Sequence, residues 1–239
     1  MTGAVNAAAH PEQHHADVSG GWLRPAVFGA MDGLVSNIAL IAGVGGGGVS
    51  PEAIVLTGTA GLVAGAISMG LGEYTSVRTQ TEQVAAEVAK ERRELERNPE
   101  VETEELAQAW IGRGLPPDLA REVAKVVHTN PEEALRLHAR EELGVDPGEQ
   151  PSPWTAAVTS FLCFSIGALI PLLPYLLGVD VLWPALIAGG AGLFLAGALS
   201  ARFTHRAWWT SGLRQLLLGG AAAGATYVIG MLIGGGTPV

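Results

Sequence analysis

The chain has 239 residues, and only 15% of them are Asp, Glu, Lys or Arg, whereas soluble domains average about 25%. A formal net charge of −9 argues against nucleic acid as a partner and favours cations. The single cysteine, Cys163, excludes an internal disulfide and a thiolate metal site.

The first segment, residues 1–21, is predicted to be a mobile polar tail, because it lacks the basic region and apolar core of a signal peptide. It contains three histidines and an aspartate that could hold a metal loosely, namely His10, His14, His15 and Asp17. A disordered tail is the simpler interpretation, and we favour it over a metal site.

Five segments are apolar over the roughly twenty residues that a helix needs to cross a bilayer. They cover residues 25–46, 51–72, 154–177, 182–201 and 207–233. Tryptophans lie near the ends of several of them, as is usual at membrane interfaces. The predicted fold class is therefore an all-α membrane protein with five transmembrane helices. Residues 22–73 supply helices 1 and 2, and residues 154–239 supply helices 3 to 5.

The positions of the basic residues predict one orientation. Loop 45–51 carries no charge, whereas Arg24, Arg202 and Arg206 lie at the opposite ends of the spans, with ten more basic residues in segment 74–153. By the positive-inside rule, the N-terminus and this segment face the cytoplasm and the C-terminus faces outside. The glycine-rich residues 43–48 are interpreted as a flexible outer turn.

Residues 74–153 form an acidic insertion that holds seventeen of the twenty-three acidic residues of the chain. No helix breaker occurs before Asn98-Pro99, so the second span is predicted to continue as a stalk to residue 97. Further helices are predicted to run from residue 103 to 112 or 114, over 118–129, and over 131–143 with Asn130 as the N-cap. The insertion is thus predicted to be a small helical domain between transmembrane helices 2 and 3.

Several acidic side chains of the insertion recur at helical spacings that place them on shared faces, with a histidine one turn before the last of them. These residues are Glu87, Glu91, Glu94, Glu102, Glu105, His138 and Glu142. A charged face stabilised by ion pairs would place Glu four residues before Lys or Arg, and no such pair occurs between residues 82 and 97. Carboxylates with an imidazole also suit divalent metals. The spacing leaves both interpretations open.

Three side chains near the cytoplasmic ends of the first two spans are candidates for an ion path. Asp32 lies roughly 10 Å deep at 1.5 Å per residue, where an ionised group is costly unless it is paired or hydrated. It is interpreted as part of an ion or proton path. The alternative is a structural partner for Arg202, Arg206 or Arg214 at the same end. Glu73 ends the second span, and Met69 lies one turn before it. The alternative interpretations are that Glu73 is an interfacial carboxylate and that Met69 is a packing residue.

Two sequence elements resemble the vacuolar iron transporter family: residues 31–35 (MDGLV) and 65–74 (GAISMGLGEY). The likeness extends over residues 21–235 and includes the insertion and its ending at Glu142-Leu143-Gly144. The resemblance implies a dimeric, proton-coupled exporter of ferrous iron from the cytosol, and we expect a bacterial member. The glycine stripes of spans 2, 4 and 5 agree with a homodimer, because they allow close helix contacts.

Residue roles implied by the resemblance fall into two groups. The metal-domain glutamates are matched by Glu91, Glu94, Glu102, Glu105 and Glu142, with Glu87 as an auxiliary. The translocation path is matched by Asp32 and Met69, and Glu73 stands where some members have glycine. His138 and Ala139 replace the paired methionines of some members, so a nitrogen ligand would replace a thioether.

The predicted function is export of Fe²⁺ in exchange for protons, through the lipid bilayer of a bacterial plasma membrane. The chain is expected not to be an enzyme and to have no prosthetic group, with Mn²⁺, Co²⁺ and Zn²⁺ as alternative substrates. The competing hypotheses are a manganese exporter of the same architecture and a membrane metal sensor or scaffold that does not transport. A ferroxidase is weaker, because no Glu-x-x-His pair is present.

Overall fold

The computed structural model describes residues 21–204 and 206–234, and within these ranges every regular element is helical. The N-terminal histidines and Asp17 lie outside the described residues. The elements are α1 (Leu23–Gly46), α2 (Pro51–Arg97), α3 (Pro99–Gly112), α4 (Pro117–Val127), α5 (Pro131–His138), a π-helical turn (Ala139–Leu143), α6 (Pro153–Leu176), α7 (Leu182–Thr204) and α8 (Trp208–Gly234).

Five of these helices, α1, α2, α6, α7 and α8, are long and apolar enough to cross a membrane. Their bounds agree with the predicted spans to within three residues, because hydropathy is a local property of the sequence. The predicted stalk is also present, since α2 continues without a break for 47 residues. Helices α3 to α5 and the π turn follow it and precede α6, so they occupy the acidic insertion.

Helices α1 and α6 form the centre of the bundle, and glycines let them approach closely. A Cβ atom on Gly33 would lie 2.2 Å from the carbonyl oxygen of Phe164, and one on Gly167 would lie 2.3 Å from that of Ala30. Such distances leave no room for any side chain. Close packing of helix backbones is a main source of helix association in membranes, where the hydrophobic effect contributes little.

The glycine-rich residues 43–48 are mostly helical, so the prediction of a flexible turn was wrong for residues 43–46. Helix α1 continues to Gly46, and the turn begins at Gly47. A Cβ atom on Gly230 would lie 1.8 Å from the carbonyl oxygen of Gly43, which shows that α8 crosses α1 there. Thr226 of α8 also donates a hydrogen bond to the carbonyl of Ala39. These glycines therefore serve helix packing.

The insertion has its own small core, in which Leu106 and Ala107 of α3 pack against Ala120 and Ala124 of α4. Helix α3 begins at Pro99, four residues before the predicted start, because proline is well suited to the first helical position. Asn130 caps α5 as predicted, with its side-chain oxygen accepting from the backbone N–H groups of the next turn.

The predicted helix over residues 131–143 is split. Helix α5 ends at His138, and the chain continues as a π-helical turn. Gly144 ends that turn with φ of 66°, a backbone conformation that glycine adopts without strain. The widened turn changes which side chains share a face, and π turns of this kind are frequent at functional sites.

Candidate metal centre

Four side chains from four different elements converge within the insertion. Glu91 comes from the stalk of α2, Glu102 from α3, His138 from the end of α5 and Glu142 from the π turn. One ligand-type atom of each residue lies within 4.8 Å of all the others. We call these four residues the acidic cluster.

His138 is the centre of the acidic cluster. Its Nδ1 atom lies 3.0 Å from Oε1 of Glu142, 3.1 Å from Oε1 of Glu91 and 3.8 Å from Oε2 of Glu102. The side chain of His138 is fully buried, and the side chains of Glu91 and Glu102 are nearly so. Glu142 is 43% exposed and forms the open side of the cluster.

Burial and mutual repulsion make the acidic cluster unfavourable when all its carboxylates are ionised. Burial, followed by the charge of Glu142, raises the pKa of Glu91 to about 7. Burial, followed by the charge of Glu105, also raises the pKa of Glu102. In the described part of the chain, His138 is the one basic side chain within ion-pair distance of these carboxylates. A divalent cation among these oxygens would relieve the repulsion that the protein itself leaves uncompensated.

Other acidic residues of the insertion behave as an ordinary charged surface. Arg92 of the stalk donates two hydrogen bonds to Glu132 of α5. Arg121 of α4 lies 3.1 Å from Glu104 of α3, and Arg113 pairs with Glu141. Ion pairs thus connect the helices of the insertion at these residues, whereas in the described ranges no Lys or Arg pairs with the acidic cluster.

Three of the predicted metal-site glutamates lie outside the acidic cluster. Glu94 is half-exposed, with Lys90 at 3.9 Å, although its charge still reaches Glu91 and Glu102. Glu105 is exposed and acts on Glu102 through its charge. Glu87 is exposed, and among the residues that the structure describes it has no hydrogen bond or ion pair.

His128 was not identified in the sequence, yet it contacts the acidic cluster. It follows the last residue of α4, and its ring lies edge-on to that of His138, with ring centroids 5.3 Å apart. Its Nδ1 atom is 2.9 Å from the carbonyl oxygen of Ala124. No spacing rule connects these two histidines, because they lie on either side of the turn at Asn130-Pro131.

Asp32 is half-buried in α1 and accepts a hydrogen bond of 3.0 Å from the hydroxyl of Ser36. Across residues 21–204 and 206–234, no Lys or Arg lies within ion-pair distance of it, so none of Arg202, Arg206 and Arg214 serves as the structural partner considered above. Phe28 and Ser36, one turn to either side on the same face, are exposed.

Glu73 and Met69 face the interior of the bundle. Glu73 is 7% exposed, and its Oε2 atom is buried without a hydrogen-bond partner in the described structure. Met69 packs against the cluster formed by Ala66, Phe164 and Ala168. The two candidates on α2 therefore lie on the side of the helix that contacts α6, and Asp32 lies on a more open side of α1.

Comparison with known proteins gives one consistent result. A model of the VIT family matches residues 23–231. A protein named vacuolar iron transporter from Acanthamoeba castellanii is 38% identical over 200 residues, which cover 78% of this chain and 72% of that protein. Vacuolar iron transporter 1 of Oryza sativa subsp. japonica is 32% identical over 231 residues, which cover 94% of this chain and 91% of that protein. Vacuolar iron transporter 1 of Arabidopsis thaliana is 29% identical over 227 residues, which cover 94% of this chain and 90% of that protein.

These three relatives come from two plants and a protist. The expectation of a bacterial member is therefore not borne out.

Proposed function

The chain belongs to the VIT family, and from that premise we propose that it is a membrane transporter that exports ferrous iron from the cytosol. The relatives reported above are named as vacuolar iron transporters and align over most of their length. The five apolar helices supply the membrane part, and the acidic insertion supplies a place where an ion is bound before it crosses.

The observation that carries the proposal is the convergence of Glu91, Glu102, His138 and Glu142 within 4.8 Å. Three carboxylates and one imidazole make a ligand set of the kind that divalent first-row metals take. In this proposal the insertion faces the cytoplasm, and the exposed side of Glu142 is where the ion enters. Glu94, Glu105 and Glu87 increase the local negative potential and so raise the concentration of cations nearby.

For the crossing itself, we assign Asp32, Met69 and Glu73 to the path. An ionisable residue in a transmembrane helix is expensive to expose to lipid, and it usually faces a protein interior or a water-filled cavity. Asp32 lies on a face of α1 with exposed neighbours. A second copy of the chain covering this face would remove Asp32 from lipid and would place the Asp32 end of the path at the subunit seam of a homodimer. Protons arriving from the other side would then displace the ion from Asp32 and Glu73.

His138 bears on which metal is carried. An imidazole nitrogen suits Fe²⁺, Co²⁺ and Zn²⁺, whereas Mn²⁺ is better matched by carboxylates and water. His138 therefore favours Fe²⁺ over Mn²⁺, whereas the three carboxylates accept either ion. A comparison of the two metals separates an iron exporter from a manganese exporter.

Flux measured in sealed proteoliposomes tests the proposal. The purified full chain is oriented with the insertion outside, and Fe²⁺, Mn²⁺, Co²⁺ and Zn²⁺ are offered separately, with the acidic pH inside. We expect Fe²⁺ entry accompanied by proton exit. Faster flux of Mn²⁺ than of Fe²⁺ would support the manganese alternative. Absence of flux for every ion would overturn the transporter proposal in favour of a sensor or scaffold.

A further inference from the structure

His128 contacts the acidic cluster and has one ring nitrogen that is buried without a partner in the described structure. In the neutral form, an imidazole has one nitrogen that donates and one that accepts. Nδ1 of His128 lies 2.9 Å from the carbonyl oxygen of Ala124, and a carbonyl can only accept, so the proton is on Nδ1. Nε2 is then left as a bare acceptor. It is buried, and in the described structure it has no hydrogen-bond partner.

His138 acquires the complementary deficiency when an ion binds, because its Nδ1 proton must then leave. Its Nδ1 atom points at the carboxylates of Glu91 and Glu142, and its Nε2 atom is buried without a partner in the described residues. An ion held among these carboxylates would need the Nδ1 lone pair, because a histidine ligand must be deprotonated at the coordinating nitrogen. The ring proton would then be on Nε2, which would become a buried donor in need of an acceptor.

The two rings are already in contact, with centroids 5.3 Å apart and planes at 88°. One ring has a buried acceptor without a donor, and the other would have a buried donor without an acceptor once its Nδ1 binds an ion. A hydrogen bond between the two Nε2 atoms requires a change in ring orientation, because neither atom has a partner in the described structure. Metal-bound histidines usually donate their second N–H to a carboxylate, a carbonyl or water, which fixes the tautomer and the ring orientation. Here the bare Nε2 of His128 would take the place of that acceptor.

We propose that His128 is a positioning residue for the acidic cluster: its Nε2 atom accepts a hydrogen bond from Nε2–H of His138 and thereby holds His138 in the tautomer that binds a divalent ion through Nδ1. This inference rests on the proposed metal binding by the acidic cluster. In this arrangement His128 does not touch the ion, and the coordinating nitrogen of His138 is Nδ1.

Two substitutions at position 128 separate positioning from structure. His128→Phe keeps an aromatic ring against His138 and removes the acceptor, whereas His128→Gln retains a side-chain oxygen near the position of Nε2. Titrated with Zn²⁺ as the purified full chain, His128→Phe should bind about 10- to 100-fold more weakly than the parent chain. His128→Gln should recover most of that loss, and thermal unfolding without metal should be similar for both variants.

The tautomer provides a readout that altered packing would not reproduce. In the Zn²⁺-loaded parent chain labelled with ¹⁵N-histidine, NMR should show the His138 ring protonated at Nε2 and coordinated at Nδ1. Coordination through Nε2, unchanged affinity in His128→Phe, or equal losses in His128→Phe and His128→Gln would each overturn the inference. Absence of Zn²⁺ binding by the parent chain would instead refute the metal-binding proposal on which the inference rests.

Discussion

Glu91 is expected to destabilise the folded chain and to strengthen metal binding, so one substitution should change the two properties in opposite directions. Its pKa is raised from 4.5 to about 7. At 1.36 kcal/mol per pH unit, this corresponds to about 3 kcal/mol. The folded chain keeps the Glu91 proton up to about pH 7, whereas the unfolded chain releases it near pH 4.5. The stability that this group contributes is therefore present below pH 4.5 and is lost as the pH rises to 7.

Glu91→Gln replaces the carboxylate by a neutral group of the same shape. At pH 8 with a chelator present, the variant should unfold at a higher temperature than the parent chain. The upper limit of the gain is about 3 kcal/mol, and each kcal/mol corresponds to about 2–4 °C for a chain of this size. At pH 4.5 the two proteins should unfold together. In the presence of Co²⁺ or Zn²⁺ the order should reverse, because the variant has lost a ligand.

The assay is thermal unfolding of the purified chain at the two pH values, with and without metal. Glu87→Gln is the matched control, because Glu87 is an exposed glutamate one turn away on the same helix. It should leave all four unfolding temperatures nearly unchanged. A Glu91→Gln variant that is less stable than the parent at pH 8 without metal, or that is stabilised by metal as strongly as the parent, would refute this account of the acidic cluster.

Other predictions follow from the same geometry. Co²⁺ affinity should fall about tenfold per pH unit below pH 7, because the Glu91 proton must leave, and a flat profile between pH 8 and 5.5 would contradict this. Asp32→Asn should abolish flux in proteoliposomes and leave the Co²⁺ stoichiometry of the acidic cluster intact; retained flux would exclude Asp32 from the path. Gly33→Ala should cost about 1–3 kcal/mol in thermal unfolding, because its Cβ would lie 2.2 Å from a backbone oxygen. Gly72→Ala is its control, since nothing lies within 4 Å there, and equal losses would contradict the packing argument. Arg92→Ala should change stability by less than about 1 kcal/mol and leave metal affinity unchanged, because the pair with Glu132 is exposed.

The membrane helices could be predicted closely from the sequence, because the length of an apolar segment and its flanking residues are local properties. The function of Gly43 and Gly46 could not, because it depends on α8, which is nearly two hundred residues away in the chain. The inward-facing residues of the stalk could be predicted from the sequence in part. Glu91 shares a helix face with Val84, Val88 and Leu95, which are partly buried. That apolar stripe distinguishes Glu91 from Glu87, although the spacing of the glutamates alone does not.

The pairing of His138 with Glu142 is a contact between residues four apart, so the sequence indicates it directly. The meeting of Glu91 with Glu102 depends instead on the sharp turn at Asn98-Pro99, which folds α3 back towards the stalk. The contact of His128 with His138 depends on how α4 and α5 cross. No periodicity in the chain records that crossing, and this is why His128 emerged only from the structure.

X-ray absorption at the zinc edge, on the Zn²⁺-loaded full chain, tests most directly whether the acidic cluster binds one divalent ion. We expect one imidazole nitrogen together with carboxylate oxygens at roughly 2.0–2.2 Å, and we expect the imidazole signal to disappear in His138→Ala. A first shell of oxygens alone in the parent chain, or an imidazole signal that persists in His138→Ala, would contradict the assignment of this site.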